Sequence, residues 1–153
     1  MSDVAGASFQ ERMAALLDKE AVADVIRRYA YGIDTRDEAL VRACFDPDAD
    51  IVGTVSSGPL RDYLPRLLED VNGYGATMHQ LGTQLIDVHG DRAAAKSYAV
   101  ARHFRDPEGT EEVFVVGVRY DDSLRRDDGG GWHIVERHVV PIWRRTRAES
   151  EQR

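Results

Sequence analysis

Four extended segments joined by short turns fill the second half of the chain, and this feature constrains the fold most. The turns between them contain glycine, proline and aspartate. Successive strands joined in this way form an antiparallel meander, because a parallel pair needs a long crossover connection. The predicted strands are Thr77 to Val88, Ala93 to Arg105, Glu111 to Asp121 and Trp132 to Trp143.

Helical patterns precede the meander. Apolar residues at helical spacing predict a first helix that ends near Ile33, and a possible capping box from Thr35 to Glu38 predicts a short second one. A third helix, which Pro65 is expected to kink or split, follows a short strand. This order of elements predicts an α+β fold with helices on one face of a curved sheet. The first helix carries Leu17, Val22, Val25, Ile26, Tyr29 and Ile33.

The length of 153 residues and an apolar content of 42% fit one domain with one core. Residues 1–10 lack periodicity and are predicted to be a disordered N-terminus. Residues 11–143 are predicted to form the single domain, and the polar residues 144–153 a loose tail.

The charge balance argues against two classes of partner. With 20 basic and 27 acidic residues the net charge is −7, which disfavours binding to nucleic acid and to anionic membranes. No apolar run is long enough to span a bilayer, and no secretory leader is visible. Cys44 is the single cysteine, which fits a reducing compartment. The sequence therefore predicts a cytoplasmic protein.

Four polar residues lie in apolar company and are candidates for a site. Asp34 follows the first helix, where a carboxylate opposes the helix dipole unless it has a partner. His79 shares a strand face with Leu81, Thr83 and Leu85, His103 shares one with Ala99 and Ala101, and Arg137 shares one with Val135 and Val139. Each also has a structural interpretation: a solvated turn residue, a core histidine bonded to a carbonyl, an end-of-strand histidine, or an arginine that reaches solvent. The alternative for Arg137 is pairing with a carboxylate inside a cavity.

Several kinds of chemistry have no support in the sequence. There are no paired cysteines and no His-Glu-x-x-His motif, so we expect no metal. The run Gly129 to Gly131 precedes a strand, whereas phosphate-binding loops open helices. No nucleophile elbow is present, and we expect no cofactor.

These residues resemble the SnoaL-like branch of the nuclear-transport-factor-2-like superfamily. The segments that carry the resemblance are Asp18 to Asp34, Phe45 to Ala49, His79 to Thr83 and Trp132 to Arg137. The resemblance covers roughly Leu16 to Trp143. It implies a cone, in which a strongly bent antiparallel sheet wraps around about three N-terminal helices and encloses a deep apolar cavity.

Within that superfamily the chain is most similar to cofactor-free lyases of the scytalone dehydratase, bile acid 7α-dehydratase and hexachlorocyclohexane dehydrochlorinase types. The resemblance implies a general-base pair of His79 and Asp34. It further implies that Tyr29 and Arg137 polarise a carbonyl or assist a leaving group, and that His103 is a second histidine that binds substrate.

The resulting expectation is β-elimination, most simply loss of water, from a hydrophobic small molecule. A cofactor-free isomerase or polyketide cyclase is a second interpretation. A non-catalytic ligand-binding module or the small subunit of a ring-hydroxylating dioxygenase is a third. We also expect a homo-oligomer, with a trimer favoured over a dimer, because the outer sheet face is predicted to carry Val116, Val118, Ile142 and Trp143.

Overall fold

The computed structural model describes residues 6–146. Six strands form a single sheet in the order β2-β1-β6-β5-β4-β3. The helices are α1 (Phe9–Thr35), α2 (Glu38–Ala43) and α3 (Leu60–Asn72). The strands are β1 (Phe45–Val52), β2 (Ser57–Pro59), β3 (Ala76–His89), β4 (Arg92–Phe104), β5 (Glu112–Arg126) and β6 (Trp132–Thr146).

The α+β class and the four-stranded antiparallel meander are confirmed, because β3 to β6 pair with their sequence neighbours. The other edge of the sheet was not fully predicted. β1 pairs with β6 in the parallel direction, and the short β2 pairs with β1. The sheet is therefore antiparallel except at one pair, and that pair joins the first half of the chain to its last strand.

Bulges change which residues face inward. The pairing of β3 with β4 shifts register between Leu81 and Gln84, so the alternation of inward and outward side chains changes phase there. His79 and Leu81 face inward, whereas Leu85, predicted on the same face, is 66% exposed. A second register shift in β6 leaves Val139, and not Val135, on the inward face with Arg137.

The helix ends differ from the prediction in their capping. α1 begins at Phe9 because the Ser8 hydroxyl caps the Glu11 N–H and the Glu11 carboxylate accepts from the Ser8 N–H. Residues 9 and 10, which the prediction assigned to the N-terminal segment, lie in α1, and residues 1–5 lie outside the described part. The predicted capping box at Thr35 is also wrong. The Thr35 hydroxyl donates to the Tyr31 carbonyl, and Asp37 caps α2.

The last strand is longer than predicted. β6 continues to Thr146, and its last three residues pair with β5 opposite Val116, Val115 and Phe114. Residues 144–146, which the prediction assigned to the tail, therefore belong to β6, since the backbone of β5 offers these polar residues hydrogen-bond partners. Residues 147–153 lie outside the described part. α3 is one continuous helix with Pro65 in its second turn, so the predicted break is absent from it.

The core lies between the helices and one face of the sheet. α1 contributes Val22, Ile26 and Ile33, and α3 contributes Leu64. The sheet supplies small inward residues from β4, such as Ala95 and Ala99, and larger ones from β5. Within residues 6–146 no helix is long and apolar enough to cross a membrane.

Candidate active site

A cavity of about 450 Å³ lies between α3 and the inward face of β3 to β6. Its walls are mostly apolar, and a few polar side chains reach it from different elements. Such concave apolar sites with few polar groups are typical of small-molecule binding. The apolar lining includes Leu67, Val71, Phe114, Val116, Val118 and Val139. Val116 and Val118 therefore face the cavity, whereas the sequence predicted them on the outer surface.

Asp34 and His79 form a polar pair at the cavity, in which His79 lines the wall and Asp34 lies behind it. Asp34 lies in the last turn of α1, and the inward-facing His79 lies on β3. The His79 Nδ1 and the Asp34 Oδ1 are 2.7 Å apart, and the His79 backbone N–H donates to Oδ2 at 2.7 Å. The two contacts fix the imidazole ring and the carboxylate relative to each other.

The direction of this hydrogen bond sets the chemistry of the ring. An ionised carboxylate can only accept, so Nδ1 carries the proton in this contact. In the neutral imidazole Nε2 then has a free lone pair, which is the basic atom. His79 lines the cavity, whereas Asp34 is not among the lining residues. A bound molecule thus meets the imidazole, and the carboxylate supports it from behind.

Two further residues, which the sequence did not point to, hold Asp34. The buried Thr77 hydroxyl donates to Asp34 Oδ1 at 3.0 Å, and Arg36 Nη1 donates to the Thr77 hydroxyl at 2.8 Å. Arg36 also donates to the backbone carbonyls of Ile33 and Val71. Its guanidinium thereby joins the C-terminal ends of α1 and α3 to the start of β3.

His103 lies beside His79 on the cavity wall. The two ring centroids are 6.2 Å apart, and the Nδ1 of His103 donates to the Phe114 carbonyl at 3.3 Å. Burial lowers the pKa of His103, and the charge of His79 adds to this effect. The predicted alanine face is confirmed, since Ala99, Ala101 and His103 are all buried and point the same way.

Besides Tyr74, which follows α3, three buried tyrosines line the cavity: Tyr29 from α1, Tyr63 from α3 and Tyr120 from β5. Burial raises the pKa of all three, most strongly for Tyr120. The Arg137 charge acts in the opposite direction on Tyr29. Their hydroxyls are therefore protonated at neutral pH, and each can donate a hydrogen bond to an oxygen in the cavity.

Arg137 takes a different position from the one expected. It is fully buried, does not line the cavity and forms a two-pronged ion pair with Asp122, at 2.7 and 2.8 Å. Its guanidinium carbon lies 4.1 Å from the Tyr29 ring centroid and 4.3 Å from that of Tyr120. Burial acts to lower the pKa of Arg137, but the charge and hydrogen bonds of Asp122 raise it above its ordinary value.

Among the described residues, we find neither a reactive thiol nor a group of metal ligands. Cys44 is buried, and burial raises the pKa of its thiol to about 11, which leaves it as an unreactive thiol. Among residues 6–146 no three histidine, cysteine or carboxylate side chains are grouped to hold a metal ion. The chemistry of the cavity therefore depends on its two histidines, its tyrosines and the charged side chains of Asp70 and Arg144, which also line it.

The structure thus brings four of the predicted residues together. Asp34, His79, His103 and Tyr29 surround or support one cavity. Arg137 contacts that cavity only through the tyrosine rings.

Comparison with known proteins agrees with this architecture. A family model described as a SnoaL-like domain matches residues 14–138. Terrestric acid biosynthesis cluster protein E of Penicillium crustosum is 28% identical over 136 residues, which cover 84% of this chain and 86% of that protein.

Solved structures show the same fold at low identity. A putative scytalone dehydratase from Novosphingobium aromaticivorans superposes with a TM-score of 0.76 at 20% identity, covering 91% of this chain and 93% of that one. A hexachlorocyclohexane dehydrochlorinase from Novosphingobium barchaimii gives a TM-score of 0.71 at 17% identity, covering 91% and 96%. A protein of Nostoc punctiforme described as having a cystatin-like fold gives 0.67 at 19% identity, covering 82% and 92%.

Proposed function

The chain belongs to the SnoaL-like domain family, and from this premise and the cavity geometry we propose that it is a cofactor-independent lyase. His79 is the general base, and the reaction is β-elimination on a hydrophobic small molecule. The observation that carries the proposal is the 2.7 Å contact between His79 Nδ1 and Asp34, which leaves Nε2 as the basic atom of a ring that lines the cavity. A binding module has no need of such an oriented base.

In the proposed step Nε2 takes a proton from a carbon next to a carbonyl group. The C–H electron pair forms the new carbon–carbon double bond, and the bond to the leaving group on the next carbon breaks. When that group is hydroxide, it takes the proton back from the imidazolium and departs as water. Asp34 stabilises the imidazolium, as an orienting carboxylate does in a catalytic triad.

Tyr29 supplies the second part of the mechanism. Its protonated hydroxyl donates to the carbonyl oxygen, where negative charge develops as the proton leaves carbon. Arg137 acts through this residue: its positive charge lies against the Tyr29 ring and favours the developing charge without touching the substrate. His103, which lies beside His79 on the cavity wall, also binds the substrate.

A second candidate function is isomerisation, and the position of His103 favours it. The ring of His103 lies 6.2 Å from that of His79, and its Nδ1 proton is held by the Phe114 carbonyl, so its Nε2 first takes up a proton and then delivers it to a carbon other than the one deprotonated. Ring closure in a polyketide substrate would use the same cavity. The product distinguishes these outcomes, since elimination releases a leaving group and isomerisation does not.

We also propose a cytoplasmic homo-oligomer, with a trimer favoured. Ile142 and Trp143 are about half exposed on the outside of the molecule, and Met78 and Tyr98 are exposed to a similar extent. Apolar side chains in that number are seldom left in water. Light scattering at micromolar concentration tests this: a mass near that of a single 17.1 kDa chain contradicts it.

The test of the lyase proposal is turnover with a panel of β-hydroxy ketones, scytalone among them. We expect release of water from at least one of them, unchanged by prolonged treatment with a chelator. His79→Ala should lower the turnover number by at least about 10²-fold, the scale of a positioned general base. Equal turnover by His79→Ala and the wild type contradicts the mechanism.

The chain offers a matched control. His133 Nε2 lies 2.7 Å from Asp127 Oδ2, the same separation as in the cavity pair, but neither residue lines the cavity. His133→Ala should therefore leave turnover unchanged. Should a large iron-containing protein co-purify in fixed ratio, the dioxygenase small-subunit interpretation replaces the lyase.

A further inference from the structure

We propose that Arg36 and Thr77 are positioning residues for the catalytic base, an inference that rests on the proposed function of His79. The Arg36 guanidinium fixes the direction of the Thr77 hydroxyl. That hydroxyl in turn holds the Asp34 carboxylate in the orientation that pairs with the imidazole. Neither residue lines the cavity, so both act through Asp34 and not on the substrate.

The Thr77 hydroxyl has a single proton, and Arg36 sets the direction in which it points. Arg36 Nη1 lies 2.8 Å from Thr77 Oγ1, and a guanidinium can only donate. Thr77 Oγ1 therefore accepts from Arg36, and its own proton is directed to Asp34 Oδ1 at 3.0 Å. Without Arg36 the hydroxyl could rotate and accept from another donor. The guanidinium thus makes the threonine a fixed donor to the carboxylate.

The second step concerns the Asp34 oxygens. Oδ1 accepts from both Thr77 and His79 Nδ1, and Oδ2 accepts from the His79 backbone N–H. These three donors hold the carboxylate in position on both oxygens. The Thr77 hydrogen bond also takes up part of the negative charge on Oδ1, so that oxygen attracts the imidazolium less strongly. Thr77 thereby keeps the imidazole available as a base.

The third step is the anchoring of Arg36 itself. Its Nη1 donates to the carbonyls of Ile33 and Asp34, and its Nη2 donates to those of Val71 and Tyr74. Its backbone φ is +61°, and no other non-glycine residue in the range 6–146 has a positive φ. A left-handed conformation is unfavourable for a residue that carries a side chain. Glycine would adopt this conformation freely. We therefore attribute the presence of arginine at this position to the hydrogen bonds of its side chain.

The experiment measures the titration of His79 by long-range ¹H–¹⁵N correlation in the full-length protein, without substrate. The charged and titratable groups that contact His79 or share its cavity are Asp34 with its neighbour Arg36, Asp70 on α3, Tyr74 after it, His103 on β4, Arg144 on β6, and Tyr29, Tyr63 and Tyr120. Thr77→Val keeps the side-chain shape and removes the donor. We expect the His79 midpoint to rise above that of the wild type, because the Asp34 carboxylate loses one hydrogen bond and attracts the imidazolium more strongly.

Two further variants separate positioning from packing. Thr77→Ser keeps the hydroxyl and should keep the wild-type midpoint. Arg36→Gly suits the positive φ, so its effect comes from the lost guanidinium, and the midpoint should again rise. The proposal is overturned if Thr77→Val and Arg36→Gly both leave the midpoint unchanged, or if Thr77→Ser moves it as far as Thr77→Val. Because no turnover is measured, failure of the lyase proposal leaves this result intact.

Discussion

Two carboxylates in this molecule each pair with a basic side chain across two elements, and the two pairs differ in what reaches them. Asp34 and His79 meet at the cavity wall, where their side chains are 22% and 9% exposed. Asp122 and Arg137 meet inside the core, where both side chains are fully buried. The first pair leaves a basic nitrogen facing a space that a small molecule can enter. In the second pair, the Arg137 guanidinium lies against the rings of Tyr29 and Tyr120.

A polar residue among apolar neighbours in the sequence thus indicates that the residue has a charged partner. It does not indicate what the pair does. His79 and Arg137 have the same kind of sequence signal, a basic residue within a strand of apolar neighbours. The cavity separates their roles: the cavity pair is suited to proton transfer, and the core pair to holding the tyrosines in place. The following predictions test that separation.

The largest effect is expected on stability, from the core pair. Asp122→Asn leaves the Arg137 charge buried without its counter-charge and should lower the free energy of unfolding by about 3–5 kcal/mol. The measurement is urea denaturation. Asp121→Asn is the matched control, because Asp121 pairs with Arg119 at the surface and such pairs contribute at most about 1 kcal/mol.

A double variant sharpens this first prediction. Asp122→Leu combined with Arg137→Met replaces the ion pair by apolar side chains and should regain most of the stability lost in Asp122→Asn. If the double variant is as unstable as the single one, the pair has a role beyond mutual neutralisation.

The next effect is expected on turnover, from the cavity pair. Asp34→Asn should lower the turnover number by about 10²-fold, and the double variant with His79→Ala should lose little more than the worse single variant, because the two residues act as one unit. Steady-state kinetics on the identified substrate measures this. Fully additive losses contradict the assignment of Asp34 as orienter of His79.

A smaller effect is expected from the tyrosine between the two pairs. Tyr29→Phe keeps the ring against Arg137 and removes one hydrogen-bond donor, so turnover should fall about tenfold while thermal stability changes little. Tyr31→Phe is the control, since Tyr31 is 66% exposed on the other side of the helix. A large loss of stability in Tyr29→Phe would assign the hydroxyl to the core pair.

The smallest effect concerns His103 and the pH dependence of stability. Burial lowers its pKa below the ordinary value of 6.5, so the unfolded chain takes up a proton at a higher pH than the folded protein. The stability that the neutral form contributes is therefore lost as the pH falls through about 6.5. We expect His103→Gln to have a shallower decline in the free energy of unfolding between pH 7.5 and 5.5, measured in urea.

Much of the architecture follows from the sequence because it depends on local periodicity. The four meander strands, the first helix and the inward position of His103 were predicted from spacing alone. The pairing of Asp34 with His79 came from the family resemblance, and their separation of 45 residues explains why no local pattern indicates it.

The errors came from contacts between elements. The bulge after Leu81 depends on how β3 pairs with β4, so the exposure of Leu85 could not be read from β3. Arg36 lies in a polar segment of the sequence. Its guanidinium finds hydrogen-bond acceptors only because the ends of α1 and α3 pack beside the start of β3. The burial of Arg137 behind the tyrosines likewise depends on a second bulge and on Asp122, 15 residues away in sequence.

The bulge in β3 has a consequence for how this fold can change over generations. Before it, inward residues such as His79 belong to the cavity, and after it, inward residues such as Ile86 and Val88 pack against the core. Because the phase change uncouples the two halves of one strand, substitutions at Ile86 or Val88 can adjust core packing while the reaction chamber keeps its shape. The same scaffold can therefore acquire new substrates and new stability by separate mutational routes.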